Sequence, residues 1–178
     1  MRFILVLTLL GAPALRAESA VLECIADGWV MVVRGDLGKL TGRSPVLELA
    51  PRRKEAVLDF RFSVIEGWQV TKVTLLLHLE RGAAPPVLAA TVAHARWRED
   101  DSEIPLPPFR AVGNNLVTKL QQGWVSVDIH PAVVQKLADR AGFGLWLTSP
   151  SVETAFHARE SLHLAPYLIV EGRRHRAE

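Results

Sequence analysis

The chain has 178 residues, 21 Lys+Arg against 19 Asp+Glu, and a single cysteine. One cysteine excludes an intrachain disulfide framework, and this length makes one domain with a real core. The surplus of positive charge sits at the two ends, so the body between them offers no broad electrostatic footprint for nucleic acid.

Met1-Arg2, the apolar run Phe3 to Leu10 and the small-residue stretch Gly11-Ala12-Pro13-Ala14 read as a secretory signal within residues 1–19, cut after Ala14, Ala17 or Ser19. The apolar run falls well short of the ~20 residues of a membrane span, so no span is expected. Glu23 stands before Cys24 where a lipoprotein needs a small residue. The expected address is therefore secreted: periplasmic, cell-surface or extracellular. Removing Arg2 and Arg16 with the signal leaves 19 basic and 19 acidic residues. The expected domain covers residues 20–172, followed by a solvated basic tail over 173–178. Cys24, inside the apolar run Ala20 to Ala26, reads as a buried thiol.

Period two then dominates. Leu58, Phe60 and Phe62 alternate with Asp59, Arg61 and Ser63. Val73, Leu75, Leu77 and Leu79 alternate with Lys72, Thr74, His78 and Glu80, with Leu76 alone breaking the polar face. Val125, Val127 and Ile129 alternate with Trp124, Ser126 and Asp128. These are strands with one face on a core and one toward water. Trp29–Val33, Val46–Ala50, Val87–Arg96, Gly144–Leu147 and Tyr167–Val170 are further strands. Turn residues separate them at Gly35 to Gly38, Thr41 to Pro45 and Arg81 to Pro86. Glu99 to Asn115 reads as a long irregular segment that crosses the body or carries function. One short helix is expected from Pro131 to Arg140, capped by Asp128 or His130, with Val133, Val134 and Leu137 as its apolar face. Many short strands and one helix make an all-β protein, a two-sheet sandwich of the jelly-roll kind.

Several blocks, taken in order, carry a resemblance. They are Ala26-Asp27-Gly28-Trp29-Val30, Leu58-Asp59-Phe60-Arg61-Phe62-Ser63, and Gly67 with Val70 and Val73-Thr74-Leu75-Leu76-Leu77. Then come Trp97-Arg98-Glu99, Trp124-Val125-Ser126-Val127-Asp128-Ile129, Gly144-Leu145-Trp146-Leu147, Phe156-His157-Ala158-Arg159-Glu160 and Pro166-Tyr167-Leu168-Ile169-Val170. Together, from about Ile25 to Glu171, they resemble the DNRLRE-domain family, also classed among carbohydrate-binding modules of secreted proteins. The resemblance implies a jelly roll without catalytic machinery. Asp59 and Arg61 exchange the family's usual Arg and Asp, so the charge partners on that face must differ. The family's Asn-Tyr-Gly turn near the start is absent, and so is the second Trp that often follows Trp-x-Glu.

A sugar ring is held by an aromatic platform flanked by acids, amides or Arg. The platforms on offer are Trp29, Trp68, Trp97, Trp124 and Trp146. Trp68 in its Gly-containing turn and Trp97 before the acidic loop are expected to be exposed. Trp124 and Trp146, within strands, are expected to be covered. Glu99 joins Trp29, Trp68, Trp97 and Trp124 as a glycan-binding candidate. Arg159 and Glu160 are expected on opposite faces of an extended segment, in a structural ion pair with Asp59 or Arg61. No metal ligand set and no cofactor is expected. Glu99-Asp100-Asp101-Ser102-Glu103 offers hard oxygens suited to structural Ca²⁺, but without the spacing of an EF-hand loop. The six histidines show no ligand spacing, no nucleophile elbow is present, and no two carboxylates are paired, so no enzyme is expected. The expected function is non-catalytic binding of a polysaccharide or other extracellular glycan. The second reading is a structural or adhesive envelope or matrix protein that acts through a protein partner.

Overall fold

The computed structural model describes residues 18–33, 36–108 and 115–174. The candidate secretory segment up to residue 17 and the last four residues of the expected tail lie outside the described residues. In chain order the strands are β1 (Glu18–Val32), β2 (Leu37–Gly42), β3 (Val46–Leu49), β4 (Lys54–Phe60), β5 (Trp68–Gly82), β6 (Val87–Val92), β7 (Glu103–Pro105), β8 (Asn115–Gln121) and β9 (Trp124–Ile129). A short helix α1 (Pro131–Ala138) follows, and then β10 (Leu145–Thr148), β11 (Thr154–His157) and β12 (Tyr167–Arg174). Two 3-10 segments, Phe62–Ile65 and Arg159–Leu164, the second kinked at Leu162 (φ 48°), interrupt the strands.

All pairings are antiparallel, and they close a ring. The front sheet runs β1–β12–β5–β9 and the back sheet β4–β10–β6–β8. β1 also pairs with β4, and β8 with β9, which joins the sheets at both sides. This order is that of a jelly roll, and the closure leaves little free edge. β1 achieves it by changing sheets. Glu18 to Glu23 pair with β12, and from Cys24 the strand pairs with β4, through a bulge between Cys24 and Ala26, and from Gly28 with β2 as well. β2 and β7 extend the back sheet, and β3 with β11 extends the front sheet along the far half of β5.

The main core fills the space between the sheets, with Leu22, Leu58, Phe60, Leu75, Leu77, Leu88, Val127, Phe156 and Leu168 fully or almost fully buried. Each such side chain contributes about 1.5–3 kcal/mol on burial. Cys24 lies in this core as a buried free thiol. A second cluster forms on the outer side of the back sheet, where Val30, Val57 and Trp146 are covered by Ile104 and Leu106, with Trp97 packed alongside. Of the segment expected to be irregular, residues 99–108 contribute β7 and two core residues and cross the back sheet as a strap, while residues 109–114 lie outside the described residues. The strap buries the middle of β4, Glu55 to Leu58, on both faces, while the expected alternation holds from Leu58 on, with Leu58 and Phe60 buried, Asp59 half-buried and Arg61 exposed. The strand also stops at Phe60, one residue before the chain turns through Phe62–Ile65.

β2, β7, β8 and β11 are strands that the turn-rich or short segments concealed. Arg173 and Arg174, expected in a free tail, pair with Gln69 and Trp68 as the end of β12. The helix forms as expected, with the His130 side chain accepting from Ala132 N–H at 3.2 Å, and Val134 and Leu137 buried. The covered back sheet leaves the outer side of the front sheet as the broad open face.

Candidate functional site

On that open face the alternation of β5, β9 and β12 presents Thr74, Leu76 and His78, then Trp124, Ser126 and Asp128, then Tyr167, Ile169 and Glu171, opposite the buried Leu75, Val127 and Leu168. Tyr167 pairs with Leu76, Leu76 with Ser126, and His78 with Trp124, so these side chains stand in adjacent rows. The half-buried Trp124 ring meets His78 edge-on at 5.0 Å and Tyr167 edge-on at 5.3 Å. His157, at the end of β11, adds a fourth ring at 5.3 Å from His78. Its Nδ1 is 3.1 Å from the Ser161 hydroxyl. Gly123 has φ +83°, and a Cβ there would fall 2.8 Å from His78 Nε2, so the turn before Trp124 closes directly over the imidazole. T-shaped contacts of this kind fix ring orientation and leave apolar ring surface available. Polar groups border the row: Asp128 accepts from the Thr74 hydroxyl at 3.0 Å, and Lys72 pairs with Glu171 at 2.8 Å.

A second constellation lies where β1, the strap and the 3-10 turn Arg159–Leu164 meet. Asp27 is fully buried; its Oδ2 accepts from the Arg159 backbone N–H at 2.7 Å, while its Oδ1 has no hydrogen-bond partner among the described residues. Glu99 Oε1 accepts from the Asp27 N–H at 3.1 Å. The Arg159 guanidinium donates through Nε and Nη2 to Glu99, at 3.0–3.2 Å, and through Nη2 to Glu160 at 3.2 Å. Burial pushes the Asp27 carboxyl up to about 7, against the lowering effect of the Arg159 N–H, while Glu160 and Glu99 push it further up. Burial likewise raises the Cys24 thiol, helped by Asp27, which leaves it inert. One oxygen from each of Asp27, Glu99 and Glu160 lies within 4.8 Å of the others, and the cation among them is the Arg159 guanidinium.

The 3-10 turn also walls a groove of about 390 Å³, lined by Val21, Glu23, Arg159, Leu162, Pro166 and Tyr167 among others. It opens beside the aromatic row, because Glu23 pairs directly with Tyr167 across β1 and β12.

Of the residues singled out from the sequence, only Trp124 lies in the aromatic row. Trp68, expected exposed, is 4 % exposed and belongs to the main core. Gly67 does make a turn, but the next residue already starts β5 facing inward. Trp97 is half-buried against the second core cluster, its indole donating to Phe143 O at 2.7 Å, so it fastens the strap. Trp29 is half-exposed, with the Lys54 ammonium 4.9 Å over its ring. Trp146 is buried as expected, and its indole donates to Glu55. Trp124, expected covered, is half-exposed, since α1 packs at the other end of the sheet. Glu99 is a structural ion partner, not a free ligand group.

Arg159 and Glu160 do form an ion pair, but the chain there is a 3-10 turn, which brings both side chains together instead of onto opposite faces. The wider partner of Arg159 is Glu99 and not Asp59 or Arg61. The Asp59 Oδ1 accepts from the Phe60 N–H at 2.9 Å, burial raises its carboxyl, and Arg61 is exposed. The acids of the strap diverge: Asp101 accepts from the Arg98 N–H at 2.7 Å, and Asp100 pairs with Arg98 at 3.3 Å. Sequence reasoning missed Asp27, His78, His157 and Tyr167 as site residues. Leu76, the one apolar break in the polar face of β5, was the available signal for an open face with an apolar patch. No family model matches the chain, and no curated protein sequence matches it. Among the described residues, no helix is long and apolar enough to cross a membrane.

Proposed function

We propose that the chain is a non-catalytic module of a secreted protein, and that it binds a polysaccharide on the outer face of the front sheet. The observation that carries this reading is the half-exposed row Tyr167, Trp124, His78 and His157, bordered by Thr74, Asp128, Ser126 and Lys119. A ring of apolar C–H groups edged by hydroxyls needs that combination of aromatic surface and short polar side chains. The resemblance to the DNRLRE-domain family supports a glycan as the ligand, and the apolar run Phe3 to Leu10 supports export. Binding without catalysis fits the carboxylates the fold gathers: Asp27 is buried beyond reach of a polymer, and Glu99 is bound to Arg159.

The test is retention of the mature chain on a panel of insoluble and soluble polysaccharides, beside Trp124→Ala and Tyr167→Ala. Loss of a central aromatic anchor should weaken binding by at least about 2 kcal/mol, on the order of 30-fold, with the unfolding midpoint little changed. Retention indifferent to both substitutions would remove the site from this face. A folded protein retained by no polymer would overturn the glycan reading in favour of a protein partner.

A further inference from the structure

We propose that the groove beside Tyr167 is a second sugar subsite, and that it selects an uncharged sugar with neighbouring hydroxyls over an acidic one. This rests on the glycan reading of the aromatic row and names the substrate class for it. Geometry makes the two parts continuous: Glu23, Tyr167, Leu76, Ser126 and Lys119 are consecutive register partners across β1, β12, β5, β9 and β8. A chain lying on Trp124 and Tyr167 therefore meets the groove at its next step toward β1. The groove has apolar walls in Val21, Leu162 and Pro166, of which Leu162 is 79 % exposed.

Two of its polar groups, Glu23 and Arg159, are complementary and keep hydrogen-bonding capacity, and the exposed His163 stands on the same wall. The Glu23 carboxylate makes no hydrogen bond or ion pair among the described residues, so it is free to accept. Arg159 uses Nε and Nη2 on Glu99 and Glu160, while Nη1 donates to no acceptor among the described residues. One free acceptor and one free two-proton donor match two adjacent hydroxyls, each of which both donates and accepts. The same inventory disfavours a uronate or a sulfated sugar. Of the two basic residues in the lining, Arg159 and His163, the guanidinium is already paired with two carboxylates, so an added anion would face the uncompensated Glu23 within the reach of unscreened charge, about 8 Å at physiological salt.

The experiment measures affinity for two neutral soluble polymers, a galactomannan and a mixed-linkage β-glucan, and two acidic ones, alginate and polygalacturonate, at constant 0.15 M salt. Variants are Glu23→Gln, which removes the charge from an exposed residue, and Val21→Trp, which fills the groove from an exposed position. The unchanged chain should bind at least one neutral polymer at least tenfold more tightly than either acidic one. Each variant should weaken neutral binding about tenfold, as for loss of a hydrogen bond to a charged group, and Glu23→Gln should narrow the gap to the acidic polymers. Equal or tighter binding of the acidic polymers overturns the assignment. So does a change below threefold in both variants; if Trp124→Ala still abolishes binding in that case, the aromatic row stands and only the groove falls. Binding to none of the four polymers overturns the groove assignment, and the broader panel then decides the aromatic row by itself.

Discussion

Raising the pH through neutrality should loosen this fold, and one buried carboxyl sets most of the slope. Asp27 has an ordinary value of 3.8 when the chain is unfolded and about 7 in the folded protein, where burial is the main cause. Between those values the folded state holds a proton that the unfolded state has released, so stability is fullest below pH 4 and declines until the folded carboxyl ionises near 7. The whole difference corresponds to about 4 kcal/mol, at about 1.4 kcal/mol for each tenfold step, and about 2–3 kcal/mol of it falls between pH 5 and pH 8. Asp27→Asn keeps an acceptor for the Arg159 N–H but cannot ionise. Urea unfolding of both proteins at pH 5, 6, 7 and 8 isolates the residue, because every other group is common to both and cancels in the difference. Glu48 works in the opposite sense, held low chiefly by its hydrogen bond from Lys54, and matters only below its usual 4.5. The stability of the variant relative to the parent should rise by about 2–3 kcal/mol from pH 5 to pH 8. A difference constant within about 0.5 kcal/mol across that range would refute the assignment of the slope to Asp27.

Trp68→Ala should cost about 3–5 kcal/mol, seen as a lower urea midpoint, since the indole is core and not platform. Glu99→Ala should cost about 2 kcal/mol at pH 7, less than breaking a fully buried pair because Arg159 is 37 % exposed and water compensates part of the loss. Gly123→Ala places a Cβ against the His78 ring in a backbone conformation that side chains resist, and should cost more than about 1 kcal/mol. The same variant should shift the Trp124 fluorescence spectrum and weaken polysaccharide retention, which a purely local turn defect would not do.

The architecture was legible because alternation is a local signal. Val73, Leu75 and Leu77 against Thr74 and His78 mark an inner and an outer face without reference to any partner strand. β4 shows where that logic ends. Glu55, Ala56, Val57 and Leu58 carry little alternation because the strap lies on one side of them and the core on the other, and the strap comes from about forty residues further along the chain. β2 and β7 were hidden for a related reason: Pro105 suits β7 as a short edge strand, where an unpaired N–H faces outward, while Gly38 and Gly42 in β2, which lies between β1 and β7, read as turn residues but serve the close approach of neighbouring chain.

The site was less legible because its members meet only through the closure of the ring. The Arg159 N–H reaches Asp27 across 132 positions and its guanidinium reaches Glu99 across 60, distances over which no spacing rule operates. Burial could not be read for Asp27 either, since its neighbours Gly28 and Ala26 suit a turn as well as a strand. Yet the ion cluster and the aromatic face share one element. The 3-10 turn Arg159–Leu164 is held at its first residue by Asp27 and Glu99, supplies Ser161 to His157, and ends in the wall of the groove beside Tyr167. Through that turn the ion cluster is joined to the aromatic face, and the Asp27 carboxyl to one wall of the groove. Asp27→Asn should therefore keep the groove intact at pH 8, and any loss of polysaccharide affinity in the parent protein between pH 6 and pH 8 should shrink in this variant.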